Sequence, residues 1–325
     1  MVFWCSVMRP IMDRRHRICF ARRVSTSGYR DVMPLASWRE KAAAHRARAE
    51  KHTAAARKRR ARGLPHPVLD FLFQYYPFPF SLLENWHPAA GEALEWPLPS
   101  LPEGFSDGCY LLENGCLALD PRKLPEKARQ RMRWTLELLE ATRERVPNFA
   151  CHGLHEWAMV YRGREIRHEK TLRLRLPQAE IDALVESRAI CCSHHDAFRF
   201  FAPEARPLNR LQPDIHSRHR HEQPACLHAN MDLYKWAAKS MPWTGSELLL
   251  DCFELAVDLR ALDMRASPYD LTEWGYAPVP IETAAGRAVY ENEQRRLAEA
   301  AAPLRQRLIT GLRGNIWQDG FHGGA

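Results

Sequence analysis

Cys226-Leu227-His228-Ala229-Asn230-Met231-Asp232-Leu233-Tyr234-Lys235-Trp236 is the stretch of this chain with the most chemistry per residue. Wound as a helix, it puts His228, Asp232 and Lys235 on one face at i, i+4 and i+7. A carboxylate and an ammonium beside an imidazole orient the ring and tune its pKa, which is what general acid–base catalysis needs. The competing reading is a surface ion pair worth about 0–1 kcal/mol. Leu227, Met231, Leu233 and Trp236 surround the polar face and point to burial.

Nine of the fifteen histidines fall between His152 and His228, with Cys151, Cys191, Cys192 and Cys226 among them. Neutral imidazole and thiolate are the usual ligands of zinc and iron. His152 and His155 are three apart and His152 and Glu156 four apart, so a helix there would bring them to one side, although no H-E-x-x-H pattern is present. Ser193-His194-His195-Asp196 and Cys226-Leu227-His228 adjoin expected secondary structure, which makes His155, His194, Cys226 and His228 the candidate metal set. His216-Ser217-Arg218-His219-Arg220-His221 is expected in a solvated loop, and Asp251, Glu254 and Asp258 on the solvated face of a helix. Asp263-Met264-Arg265-Ala266-Ser267-Pro268-Tyr269-Asp270 marks a helix-to-turn exit, a place for either a site or a capping network.

Several elements must position these groups. Ser37-Trp38-Arg39-Glu40 has the capping-box pattern, followed by an Ala-, Arg- and Lys-rich helix to Arg62 that should be mostly exposed. The dense run His66–Phe80 reads as core and packing loop, and 88–107 as irregular. Asn114-Gly115 between Cys109–Glu113 and Cys116–Asp120 predicts a hairpin on a type I′ turn. Helices are expected over 125–146, 149–161, 226–240, 246–262 and 283–312, the last broken or kinked at Pro303. Strands are expected at Thr171–Leu176 and Ala189–Cys192. The fold class is therefore a mainly helical α+β protein: one globular domain over 65–313 with a small sheet, a basic helical arm at 33–64 and a flexible tail at 314–325.

The net charge of +8 divides unevenly: residues 1–64 carry +13 and the remainder carries −5. Nucleic-acid binding would therefore rest on the N-terminal arm or a local patch. Residues 1–32 are Arg-rich and acid-poor, as in an organelle transit peptide or a reading frame begun upstream of Met33. No run approaches the roughly 20 apolar residues of a membrane helix. Nine cysteines, an odd number without a C-x-x-C pair, suit a reducing compartment such as the cytoplasm.

Five strings together are similar to an actinobacterial-type family of 3-methyladenine DNA glycosylases. They are His66–Tyr76, Gly153-Leu154-His155-Glu156-Trp157-Ala158-Met159-Val160-Tyr161, Asp196-Ala197-Phe198-Arg199-Phe200-Phe201, Cys226–Trp236, and Asp263–Leu271 with Ile281-Glu282-Thr283. The resemblance covers roughly Ser37 to Leu312. It implies a DNA-repair hydrolase that flips an alkylated purine out of the duplex and lets a carboxylate activate water at the glycosidic carbon. Under it Asp232 or Glu156 positions the water with His228 nearby, Tyr234 or Trp157 stacks on the base, and Lys235 and Arg265 meet phosphate, with Tyr269 also at the substrate. No cofactor is implied. The chain departs from many such enzymes in lacking a helix–hairpin–helix with a Gly-rich hairpin; Thr310-Gly311-Leu312-Arg313-Gly314 does not supply one. The alternative is a cytoplasmic metal-dependent or acid–base enzyme acting on a small molecule, with zinc or iron on the four candidate ligands.

Overall fold

The computed structural model describes residues 31–163 and 172–316. Nearly all of the expected N-terminal extension, Thr171 of the alternating segment, and residues 317–325 of the tail lie outside them. The elements run β1 (Val32–Met33), α1 (Leu35–Arg62), α2 (Phe71–Tyr75), α3 (Phe80–Glu84), β2 (Ala93–Glu95), β3 (Tyr110–Glu113), β4 (Cys116–Leu119) and α4 (Glu126–Glu144). They continue with α5 (Leu154–Met159), α6 (Gln178–Ser187), α7 (His195–Phe198), α8 (Arg218–His221), α9 (Leu227–Lys239), α10 (Ser246–Arg265) and α11 (Ala284–Ile316). This is the mainly helical α+β class the sequence predicts.

α9 lies at the centre. Leu227, Met231, Leu233, Tyr234, Trp236 and Ala237 are all buried, so the helix is enclosed on nearly every side. α10 packs along it, α11 packs against both, and α4 packs against α11 and meets α9 through Trp134 on Trp236. The predicted 125–146, 226–240 and 246–262 helices appear as α4, α9 and α10 within a few residues at each end. α11 passes through Pro303 as one assigned helix and takes in Gly314–Ile316, so neither the expected break nor a tail beginning at 314 is present. Gly286 near its start is set by close approach: a Cβ there would collide with the Pro280 carbonyl. Gly286→Ala is therefore expected to destabilise by about 1–3 kcal/mol, overriding alanine's gain in helix propensity of about 1 kcal/mol. A thermal melt that shows the variant equal to or above wild type would contradict this.

The sheet is mixed, in the order β1-β2-β4-β3, with β1 parallel to β2 and the other pairs antiparallel. β3 and β4 form the predicted hairpin, and its turn residues Asn114 (φ 52°) and Gly115 (φ 77°) both have positive φ. The other two expected strands reduce to single bridges, Leu174 to Tyr269 and Ile190 to Asn209. Leu172 and Ile190 are buried without a sheet forming around them.

The basic helix is not a free arm. Trp38, His45, Ala49, Thr53 and Ala56 form a buried stripe down one side of α1. Arg48 binds Asp251 (2.7 Å) and Glu254 (2.5 Å), so the acidic face of α10 is an α1 dock and not merely solvated. Arg57 reaches buried Glu84 (2.7 Å), and Arg59 reaches Asp70 (2.5 Å). The helix begins at Leu35, two residues before the expected Ser37 cap, and its first amide is capped from outside by the Glu95 carboxylate at 2.9 Å. Arg39, Arg46, Lys51, Lys58, Arg60 and Arg62 remain exposed.

Candidate active site

Three helices converge below the surface: α5 with His155 and Glu156, α9 with His228 and Asp232, and α10 with Arg260 and Asp263. α5 is shorter than predicted. His152 (φ 45°) and Gly153 (φ 75°) take left-handed backbone that delays the helix to Leu154, and a Cβ at Gly153 would press on Ala266 and Tyr290. His152 is therefore turned away from His155 and lies 3.7 Å from Glu291.

His155 Nε2 and Asp263 Oδ1 are 2.8 Å apart, while Arg260 Nη1 donates to Asp263 Oδ2 (2.8 Å) and to Glu156 Oε1 (3.2 Å). The His155 and His228 rings meet edge to face, centroids 4.7 Å apart. Burial alone would lower the His155 pKa, but Asp263 beside it holds it well above the usual value. His228 is pushed down to about 3 by burial and by the His155 charge. Glu156 is raised by burial and by the negative charge of Asp263.

A second network surrounds Asp232, which is 1 % exposed. Tyr76 donates its hydroxyl to Oδ1 (2.6 Å), and Arg218 (2.7 Å) and Lys235 (2.8 Å) donate to Oδ2, with His194 Nε2 at 3.4 Å. Burial would raise its pKa; Lys235, His194 and Arg218 reverse this and hold it well below the carboxylate range. Arg218 also bonds Glu222 at 2.5 Å. Lys235 bridges onward to Asp196 (3.2 Å), which stays ionised below the usual range because that ammonium offsets its burial.

A cavity of about 370 Å³ opens over these networks. Phe71, Tyr75, Phe200 and Tyr269 supply aromatic walls, and Glu156, Asp196, His228 and Arg260 supply its charged or titratable groups. Phe71 and Tyr75 stack on each other (centroids 5.2 Å), and the Arg260 guanidinium lies 3.8 Å over Phe71. Gln74 borders both this cavity and a cleft of about 190 Å³ formed by Arg59, Arg60 and Gly63 at the end of α1.

No known protein family, curated protein or solved structure matches the chain.

Of the residues singled out in the sequence, Glu156, His228 and Tyr269 line the cavity. Asp232 does not. Both its oxygens are taken by donors, so it is a buried anchor and not a water-positioning group. Tyr234 and Trp157 are not stacking platforms. Tyr234 packs edge to face on Tyr76, Phe78 and Phe253, and fully buried Trp157 donates its indole N–H to the Ala266 carbonyl. Lys235 is engaged by two carboxylates, and Arg265 donates its Nε–H to the Ala277 carbonyl; neither is among the residues that line the cavity. His194 sits between Asp232 and Glu222. Cys226 shares a small hollow with His155 and His228, but neither its thiol nor His194 belongs to the group of ligand atoms that gathers, so the four-ligand set does not converge. Among the described residues, the ligand atoms that do gather belong to His155, His228 and Asp263.

Three groups were missed. Arg218 came from the expected solvated loop but is 5 % exposed at the centre of the Asp232 network. Asp196 stands out in the sequence only as a neighbour of His195 and as the start of the Asp196–Phe201 string, without a catalytic role. Arg260 had a readable signal, because it stands three residues before Asp263 in an apolar run, the spacing of a helical ion pair.

Proposed function

We propose that the protein hydrolyses the N-glycosidic bond of an alkylated purine in DNA, with the base held in the aromatic-walled cavity. The observation that carries this reading is that two carboxyl groups, Glu156 and Asp196, line one cavity whose walls are Phe71, Tyr75, Phe200 and Tyr269. A planar heterocycle gains stacking on such walls, worth about 1–3 kcal/mol per base. Asp196, ionised beside Lys235, is the carboxylate that draws water toward the anomeric carbon and balances the positive charge developing there. The carbon–nitrogen bond breaks, the base leaves with the bonding pair, and water supplies hydroxyl to the sugar and a proton to the departing base. Arg260 and Glu156, which line the same cavity, hydrogen-bond the base edge in this reading. The resemblance to the 3-methyladenine DNA glycosylases supports the same assignment, and the exposed cations of α1 lead toward a cleft that shares Gln74 with the cavity.

The test is release of free base from methylated duplex DNA, read by chromatography. Release that falls steeply between about 50 and 200 mM salt is expected, since phosphate contacts carry a counterion-release penalty. No base release at any salt concentration would overturn the reading. A second reading, hydrolysis of a free nucleoside, draws support from the net −5 of residues 65–325. It predicts turnover of the methylated nucleoside with little response to salt.

Lys235 acts as a positioning residue for Asp196. Asp196 has a depressed pKa, so it stays ionised into acid, and activity should persist below the ordinary carboxylate range. Lys235→Met should move the acid limb of the rate profile to higher pH. An unmoved limb in a folded variant would remove Lys235 from that role.

A further inference from the structure

The floor of the cavity contains a combination that base hydrolysis does not call for. One ligand atom each from His155, His228 and Asp263 lies within 4.8 Å of the others. Two imidazoles and one carboxylate on three different helices are a frequent donor set for zinc and for ferrous iron. Both imidazoles, though not Asp263, border a hollow of about 10 Å³, the volume of one water. Ser193 Oγ and Gln294 Oε1 are buried without a hydrogen-bond partner, and both residues line that hollow. Buried polar atoms are rarely left so, and an occupant of the hollow would satisfy them.

We propose that His155, His228 and Asp263 bind one divalent transition-metal ion of the zinc class. Zinc bonds of about 2.0–2.2 Å hold the ligand atoms of a tetrahedral site roughly 3.3 Å apart. His155 Nε2 and Asp263 Oδ1, at 2.8 Å, share a proton that an ion would displace as the pair opens, and the His228 ligand atom lies within 4.8 Å of both. The surrounding groups suit ligation. Cys151 Sγ lies 3.6 Å from His155 Nδ1 and fixes the ring, and Arg260 holds the second oxygen of Asp263, leaving Oδ1 for the ion. Three protein ligands leave a position open, and His228 links the set to the large cavity that it also lines. Such an ion would supply Lewis-acid polarisation or a bound water there. The nearby thiols of Cys192 and Cys226 border the small hollow but do not converge with the three ligands.

The assignment is independent of the glycosidic reading and is tested without an activity assay. Tag-free full-length protein is stripped with chelator, dialysed, and titrated with Zn²⁺ or Co²⁺ alone. Binding of one equivalent, a raised melting temperature and a cobalt spectrum without a thiolate charge-transfer band are expected. His228→Ala and Asp263→Asn should each weaken Zn²⁺ binding at least tenfold, while Cys226→Ser should leave it unchanged. Less than a tenth of an equivalent bound by wild type overturns the proposal. So does loss of binding in Cys226→Ser together with a thiolate band, which would place the ion at the cysteines. Should either ligand variant fail to fold, the wild-type stoichiometry and cobalt spectrum still decide between these outcomes.

Discussion

Asp232→Ala should destabilise the protein by about 3–5 kcal/mol, the usual cost of removing one partner from a buried ion pair. The reason lies in what remains. Arg218 is 5 % exposed and would keep only Glu222 as a close carboxylate partner, Lys235 would keep only Asp196, and the Tyr76 hydroxyl would lose its acceptor. Because α9 is enclosed on nearly all sides, water cannot enter to solvate these groups without opening the core. Urea unfolding at an unchanged m-value measures the difference. A loss under 1 kcal/mol would mean that the network contributes little. The pH dependence has a definite sign. The folded carboxyl is held well below its unfolded value of about 3.9, so its stabilisation is fully present above that value and disappears as the pH falls through the folded pKa. Acid unfolding of wild type should accordingly be steep on the low side of the carboxylate range, and shallower in the variant.

Asp196→Asn should reduce base release by about 10²–10⁴-fold, the usual contribution of a positioned acid–base group. The fold should tolerate it far better than the change at Asp232. Asp196 lies at the cavity edge with its side chain 18 % exposed, and its partner Lys235 retains Asp232 at 2.8 Å. The melting temperature should therefore move little while the rate falls. Binding of methylated DNA should persist, since the aromatic walls and the α1 cations are untouched. A variant within threefold of the wild-type rate would eliminate Asp196 as the water-directing carboxylate.

How far the residue pattern could be read depended on the range of each interaction. The Asn114-Gly115 hairpin and helices α4, α9 and α10 follow from local turn chemistry and periodicity, and they appear where expected. Thr171–Leu176 alternates like a strand, yet alternation records only which residues are buried, and among the described residues of that segment a single bridge is all that forms. On α9 the helical spacing of His228, Asp232 and Lys235 was correctly inferred, but not what each would meet. His228 turns toward the cavity, while Asp232 is enclosed by Tyr76 from one distant segment and Arg218 from another. Arg218 illustrates the limit. Its immediate neighbours are His and Arg, which read as solvated, and its burial depends on Glu222 four residues on and on Asp232, which only the tertiary structure brings to it.

The large cavity takes its lining from α2, α5, α7 and the residues just after it, α9, α10 and the turn that follows α10. That lining runs from Phe71 to Tyr269, so a fragment that omits either end loses part of the wall, and no truncated piece of the chain should retain a partial, weakened version of the activity. Ligand recognition and global cooperativity are then a single property. Occupancy should raise the resistance of the entire body to proteolysis, and any nick that frees α2 or α10 should silence the molecule outright.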